Sequence, residues 1–166
     1  MIRDMNLADI PRVAEIHVFG QRKAYMNIVS DEYLFGKTTV AKRAEGFASD
    51  FEKGLWAGYV YDDGIIKGFL MVSRCDDIDK TNSLELHKIF TDPLMTGQGM
   101  GTKLIEYCER LAAQQGFDEI CLWVLKDNIA ARNFYEKMGY GFDGSVRFME
   151  SLGVDQVRYT KKVTQK

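Results

Sequence analysis

Gly97-Gln98-Gly99-Met100-Gly101 lies between a strand-like run and a helix-like run, and it constrains the fold more than any other stretch. Glycine lets a backbone turn tightly and approach a ligand with no Cβ in the way. The helix that follows points its free N–H groups and its dipole back into the loop, a geometry that receives a phosphate or pyrophosphate. A tight turn alone does not need three alternating glycines. Two phosphate-binding patterns fail on the residues. A Walker A loop needs GxxxxGK[ST], but Gly101 is followed by Thr102-Lys103. A dinucleotide fingerprint needs GxGxxG early in a βαβ unit, but Gly97 and Gly99 are followed by Thr102.

What precedes the loop is antiparallel. Residues 55–61 (LWAGYVY) and 65–73 (IIKGFLMVS) read as strands around the hairpin signal Asp62-Asp63-Gly64. A third strand runs from Leu84 to Phe90 and stops at Thr91-Asp92-Pro93. Upstream, residues 2–5 suit a short strand, and a helix starts near Asn6 to Asp9 with Pro11 in its first turn. Ile10, Val13, Ala14, His17 and Val18 give that helix an apolar face, on which His17 reads as structural. The aromatic-rich stretch from Tyr25 to Phe51 reads mainly as core, with one or two helices, the second near 38–52. Downstream come a helix from Thr102 to about Gln115, a strand over 119–125, a helix over 129–138, and closing strands around 141–146 and 157–163. The order β-α-α-β-β-β-α-β-α-β-β is a mixed α/β domain with antiparallel hairpins at both ends.

Composition bounds the function. At 166 residues the chain is one domain, 1–166, long enough to bury a core without staples. A net charge of −2 removes the electrostatic argument for nucleic acid as a partner. Cys75, Cys108 and Cys121 form no CxxC pair, so a disulfide framework is not expected and packing is their default role. Two isolated histidines and unclustered acids offer no ligand spacing, so no metal site is expected. MIRDMNLADI has neither the basic start nor the apolar run of a signal peptide, and no run approaches the ~18 apolar residues of a membrane helix. The expectation is a cytoplasmic chain with no membrane partner.

A second constellation follows the strand at 119–125. Asn128 stands where its amide can cap the next helix, or hold a ligand. Tyr135, two helical turns on, lies on roughly the same face and is either core or aimed beside Asn128.

Taken together, TGQGMGTKL and WVLKDNIAARNFYEKMGY resemble the acetyl-CoA signatures of the GNAT N-acetyltransferase superfamily. Its loop pattern is Q/R-x-x-G-x-G/A; here Thr96 replaces the leading Gln/Arg, which leaves the backbone cradle and alters one side-chain contact. The pattern N-x-x-A-x-x-F-Y-x-x-x-G-[FY] matches in full from Asn128 through Ala131, Phe134, Tyr135 and Gly139 to Tyr140. The resemblance implies a mixed, mostly antiparallel central sheet with helices on both faces and strands splayed at the CoA site. It implies acetyl-CoA as cosubstrate. Pantetheine would pair with the backbone of Ile89, Phe90 and Thr91. The amides of Gly97, Gln98, Gly99, Met100, Gly101 and Thr102, beside Thr96, would hold the pyrophosphate. Asn128 would bond the pantetheine arm, and Tyr135 would sit near the thioester sulfur.

Acyl transfer to an amine explains these parts. A lysine-like amine, pKa about 10.4, is neutral in fewer than about one molecule in a thousand at pH 7. A base must take its proton and an acid can protonate the leaving thiolate. Tyr135 is the candidate acid, a strand N–H near Ile89 or Phe90 the candidate oxyanion donor. Glu85 occupies the strand position at which several lysine-modifying members of the family carry a catalytic glutamate. Glu85, His87 and Ile89 are expected on one face of the strand, making His87 a second base or relay; a solvated Glu85 with water as base is the alternative. The early stretch 21–37 and the late stretch 144–159, with Arg147 and Arg158-Tyr159, are similar to the substrate loops of polyamine-type bacterial members. Asp31, Glu32, Asp76, Asp77 and Asp79 either attract a cationic amine or are plain surface. The leading acceptor is a small primary amine such as a polyamine, amino acid or aminoglycoside. The alternatives are a protein N-terminus or lysine, and a non-catalytic acyl-CoA sensor; the resemblance also implies a possible homodimer.

Overall fold

A computed structural model describes residues 1–95 and 97–164; the expected contact of Thr96 lies outside them. Among the described residues, seven strands form one sheet in the order β1-β2-β3-β4-β5-β7-β6. They are β1 (Ile2–Asp4), β2 (Ala57–Asp62), β3 (Ile66–Arg74), β4 (Ser83–Thr91), β5 (Glu119–Leu125), β6 (Gly141–Met149) and β7 (Val154–Lys162). The β4–β5 pair is parallel and every other pair is antiparallel. Four α-helices flank the sheet: α1 (Ile10–Tyr25), α2 (Val40–Glu52), α3 (Met100–Gln114) and α4 (Ile129–Lys137).

Local chemistry sets the boundaries. Asn6 closes a capping box, its Oδ1 accepting from Ala8 N and the Asp9 carboxylate accepting from Asn6 N, both at 2.9 Å. This box starts a 3-10 turn (Leu7–Asp9) that runs into α1. At the β2–β3 hairpin, Gly64 takes a φ of 106°, which an L side chain resists, and donates its N–H to Asp62 Oδ1. A six-residue π-helical turn (Glu32–Lys37) separates α1 from α2. The sequence pattern does not announce it. α3 begins at Met100, two residues before the expected Thr102.

Most of the core lies in two layers; a smaller third cluster joins Val29, Leu34, Leu125 and Leu152. Under α1 and α2, Ile10, Val13, Ile16 and Phe47 pack on Val60, Phe69 and Met71. Under α3, Leu104, Ile105 and Cys108 pack on Leu70, Val72, Leu84, Leu86, Ile120 and Leu122. α4 adds Ala131, Phe134, Tyr135 and Met138 to this second layer. Each fully buried Leu, Ile or Phe is worth about 1.5–3 kcal/mol, so these layers dominate the folding energy.

The site is positioned by a defect between them. β4 and β5 share only three rungs, Ser83↔Glu119, Leu84↔Ile120 and Glu85↔Cys121, and then part. Just beyond the last rung, the β3–β4 register steps from Val72↔Leu86 to Met71↔Lys88, leaving His87 as an extra residue. Such a bulge bends its strand and increases its twist. On its other edge β4 stays paired with β3 as far as Gly68↔Thr91. That approach is close: a Cβ on Gly68 would stand 3.0 Å from the Phe90 carbonyl oxygen.

Candidate active site

Between the parted strands lies a cavity of about 450 Å³, within the usual range of small-ligand clefts. Leu86 through Thr91 form one wall; Trp123 and Val124 form the other. Gly20, Lys23, Ala24 and Tyr25 of α1 line the cavity, as do Asn128, Ala130, Ala131 and Tyr135 at the α4 side. The backbone of Ile89, Phe90 and Thr91 is bonded to β3 on one side only, so its other edge faces the gap. An extended ligand with amide groups can complete that edge as a strand would.

At the rim, Gly97 (φ 87°) and Gly99 (φ 69°) adopt left-handed backbone, and nothing lies within 4 Å of a Cβ built on either. Gly99 is the N-cap of α3 and has no side chain to cap it, so the first α3 amides are left to a ligand or water. Met100, Gly101 and Thr102 thus serve as the first turn of the helix. Met100 is buried and anchors that turn, while Gly101 packs on Phe134, whose ring carbon would be 3.5 Å from an added Cβ. A helix N-terminus with a left-handed glycine before it fits a pyrophosphate, and the gap fits a pantetheine arm.

Asn128 is buried and caps α4, its Oδ1 accepting from Ala131 N at 3.2 Å. Its amide NH₂ is then the group left to serve a ligand. Tyr135 packs against Phe134, Tyr140 and Tyr159, and burial pushes its phenol well above the usual range, helped by Tyr25. A phenol so shifted stays protonated, so it keeps a proton to donate. Tyr25, read from the sequence mainly as core and also within the substrate-loop-like stretch 21–37, serves both roles: it packs against the cluster of Val29, Leu34, Leu125 and Leu152 and lines the cavity. It ends α1 at the cavity wall, and burial pushes its phenol up to about 12. The packing of α1 across the gap brings it there.

Glu85 and His87 meet as expected, with His87 Nδ1 at 3.4 Å from Glu85 Oε1 and Nε2 at 2.7 Å from Ser73 Oγ. The expected alternation through Ile89 does not hold. Leu84, Leu86 and Ile89 pack toward α3, whereas Phe90 packs toward α1 and α2, so Ile89 lies opposite Glu85. The extra residue His87 shifts the phase of everything beyond it. His17 is structural, as read: it is buried edge-on between Phe47 and Phe90, and burial, then Lys88 and Arg43, lower its pKa well below the usual imidazole range.

Two further expectations are corrected. Asp77 and Asp79 do not wait for a cationic ligand. With Asp143 they clamp the buried Arg158, whose guanidinium lies 2.8, 2.5 and 2.7 Å from the three carboxylates. The ligand-type groups are not all scattered either. Cys75, Glu85 and Cys121 converge, with their ligand atoms within 4.8 Å of one another. Their spacing in sequence, ten and thirty-six residues, hides the cluster. The hydrogen bond from Cys121 Sγ to Cys75 Sγ lowers the Cys75 pKa and raises that of Cys121.

An antiparallel-rich sheet opened beside a glycine-started helix is an architecture for holding a long, phosphorylated, amide-bearing ligand. A model of the Acetyltransferase (GNAT) family matches residues 22–140, and the chain belongs to this family. An N-acetyltransferase of Methanocaldococcus jannaschii, itself uncharacterised, is 38% identical over 64 residues, 39% of this chain and 28% of that protein. The spermine/spermidine N(1)-acetyltransferase of Bacillus subtilis is 28% identical over 93 residues, 54% of this chain and 61% of that one. The match thus spans less than two thirds of either relative. In fold, the chain is similar to the PaiA N-acetyltransferase of Thermoplasma acidophilum solved with coenzyme A, at a TM-score of 0.79, 20% identity and 98% coverage of both chains. It is also similar to the ribosomal-protein-S18-alanine N-acetyltransferase of Escherichia coli, at a TM-score of 0.69, 20% identity, and 100% and 95% coverage. Among the described residues no helix is long and apolar enough to cross a membrane.

Proposed function

We propose that the protein transfers an acetyl group from acetyl-CoA to the primary amine of a small molecule, by direct attack in a ternary complex. The observation that carries this reading is the gap between β4 and β5, walled by an unpaired backbone edge, Asn128 and Tyr135. Acetyl-CoA supplies the activated acyl group; the chain's own residues do the rest. The α3 amides and the Gly97–Gly99 cradle hold the pyrophosphate. The Ile89–Thr91 edge and the Asn128 amide align the arm. An N–H of Ile89 or Phe90 meets the acyl oxygen as negative charge develops on it. Tyr135 delivers its proton to the departing sulfur, and Glu85, with His87 beside it, accepts the proton of the amine directly or through water.

Charge at the cavity bears on the acceptor. The charged side chains of its lining are Lys23 and Lys88, with the titratable His87, while Asp77 and Asp79 are engaged with Arg158. This favours an amine of low net charge or one carrying a carboxylate, such as an amino acid, over a polycation. The Bacillus subtilis relative supports the polyamine alternative. The test is release of free thiol from acetyl-CoA against polyamines, amino acids, aminoglycosides and short peptides. Turnover with a small amine supports the reading. Turnover with peptides alone replaces it by protein acetylation. CoA binding with no turnover on the whole panel replaces it by a sensor.

A further inference from the structure

On the α1/α2 side of the sheet, beside the last rung before β4 and β5 part, three groups meet that acyl transfer does not require together. Cys121 and Glu85 are the two members of that rung. Both point away from the α3 layer, which is built from their neighbours Leu84, Leu86, Ile120 and Leu122. Cys75 reaches the same place from the end of β3, held by its N–H to the Ser83 carbonyl at 2.9 Å. Its sulfur is 2.9 Å from that of Cys121, and both residues are buried, at 6% and 0% exposure.

Glu85 is largely withdrawn from water. Its side chain is only 13% exposed, with the His87 ring at 3.4 Å and the Lys88 ammonium close enough to act on it through charge. From there its carboxylate reaches the space shared with the two sulfurs. Two thiols and a carboxylate in reach of one another lack only the cation that would unite them.

We propose that Cys75, Cys121 and Glu85 form a binding site for a thiophilic divalent cation of the zinc class. Two soft sulfurs select zinc over magnesium or calcium, which prefer oxygen donors. Zinc–sulfur bonds of about 2.3 Å at tetrahedral angles set the sulfurs ~3.8 Å apart, so the pair must open by under ~1 Å. That movement falls on the Cys75 side chain, since Cys75 lies just past the end of β3 where the 76–82 connection begins, while its backbone stays bonded to Ser83. Three protein ligands leave one position open, toward His87 or solvent, through which the ion enters. Binding replaces each thiol proton by the metal and releases it to water. A metal there also occupies Glu85, so it silences acyl transfer; this consequence alone rests on the role proposed for Glu85.

The test uses the full chain, reduced and stripped of metal. Zinc is titrated against a chromophoric chelator, and cobalt(II) is added separately as a spectroscopic probe. The expected result is one ion per chain and a near-ultraviolet sulfur-to-cobalt charge-transfer band. Loss of a hydrogen-bonding partner outside the ligand shell already costs about 10–100-fold in metal affinity, so Cys121→Ser or Cys75→Ser weakens binding at least about tenfold. Using both serine variants guards against one failing to fold, and Cys108→Ala leaves binding unchanged. No stoichiometric binding, or binding indifferent to both serine variants, overturns the site. So does loss of two hydrogens by mass with no metal uptake, which would make the sulfurs a redox pair. In the acetylation assay, zinc inhibits the parent and spares Cys121→Ser. Equal inhibition of both overturns the silencing, and the cobalt spectrum decides the site independently of any activity.

Discussion

Tyr135→Phe separates chemistry from packing because it removes one oxygen and leaves the ring. The ring contacts that fix Tyr135, with centroids at 5.5 Å from Phe134, 6.0 Å from Tyr140 and 6.5 Å from Tyr159, are available to phenylalanine. None of the hydrogen bonds among the described residues uses the Tyr135 hydroxyl, so folding stability should change by less than about 1 kcal/mol. Acetyl-CoA affinity should also hold, since the backbone edge of β4, the Asn128 amide and the α3 amides are untouched. Turnover should not. General acid catalysis is worth about 10²–10⁴-fold, so kcat falls by at least about a hundredfold, or ~2.7 kcal/mol of barrier. The assay is thiol release at saturating acetyl-CoA and acceptor, with CoA affinity measured calorimetrically and thermal unfolding on the same samples. Because the Tyr135 phenol is shifted up, the parent should show no loss of rate through deprotonation of this acid across pH 6–9. A kcat within about threefold of the parent, with affinity and stability unchanged, would refute the acid role. A large loss in Tyr25→Phe instead would move the role to the phenol that faces Tyr135 from α1.

Gly99→Val forces a β-branched residue into left-handed backbone at φ 69°, costing about 1–2 kcal/mol, but meets no atom within 4 Å. The fold should therefore survive while a side chain occupies the cradle, and CoA affinity should drop at least about tenfold; an unchanged calorimetric affinity rules out the cradle. Arg158→Met removes the buried guanidinium that Asp77, Asp79 and Asp143 share; Asp77 and Asp143 lose a partner while largely shielded from water, and the more exposed Asp79 is resolvated, so the urea midpoint should fall. A loss under about 1 kcal/mol in urea unfolding would show the clamp to be dispensable. Asp9→Asn tests the capping box, in which Arg3 holds the Asp9 carboxyl below the usual carboxylate range. A depressed folded-state pKa gives stability that is present above about pH 4 and lost as pH falls through the folded value. The variant should lose on the order of 1–2 kcal/mol at neutral pH and show a flatter acid limb; identical parent and variant curves below pH 4 would contradict this.

The order of elements was legible because periodicity, turn chemistry and glycine placement agree along the chain. Asp62-Asp63-Gly64 makes the hairpin that its residues announce, and β5 runs from Glu119 to Leu125 as the apolar run predicts. What escaped are the features set by relations between distant segments. LELHKIF alternates only as far as His87; two polar residues in succession, His87 and Lys88, are the local sign of the slip, and an alternation carried through to Ile89 passes over it. One inserted residue inverts the facing of all that follow, so Glu85 was placed with His87 correctly and with Ile89 wrongly. Asp77 and Asp79 look like free surface acids until Arg158, some eighty residues on, is folded against them. The Cys75–Cys121 contact is hidden for the same reason.

These hidden features concentrate at one place, and sheet mechanics explains why. A sheet can open in its middle only if each parted strand is secured on its far edge. β5 holds β7 over seven rungs, from Glu119↔Lys162 to Leu125↔Gln156, and β4 holds β3 through to Thr91. The opening therefore unravels neither half. It exposes backbone groups of β4 and β5 that each prefer a partner by about 1 kcal/mol or more. A ligand that carries its own amides recovers that loss, which gives the gap a standing preference for an amide-bearing arm over a purely apolar one. The bulge at His87 adds the second requirement. By turning the strand just past the last rung, it keeps Glu85 at the apex of the gap while Ile89 to Thr91 run on along its wall. On the function proposed above, one extra residue sets where the donor would lie and where a proton acceptor would stand beside it.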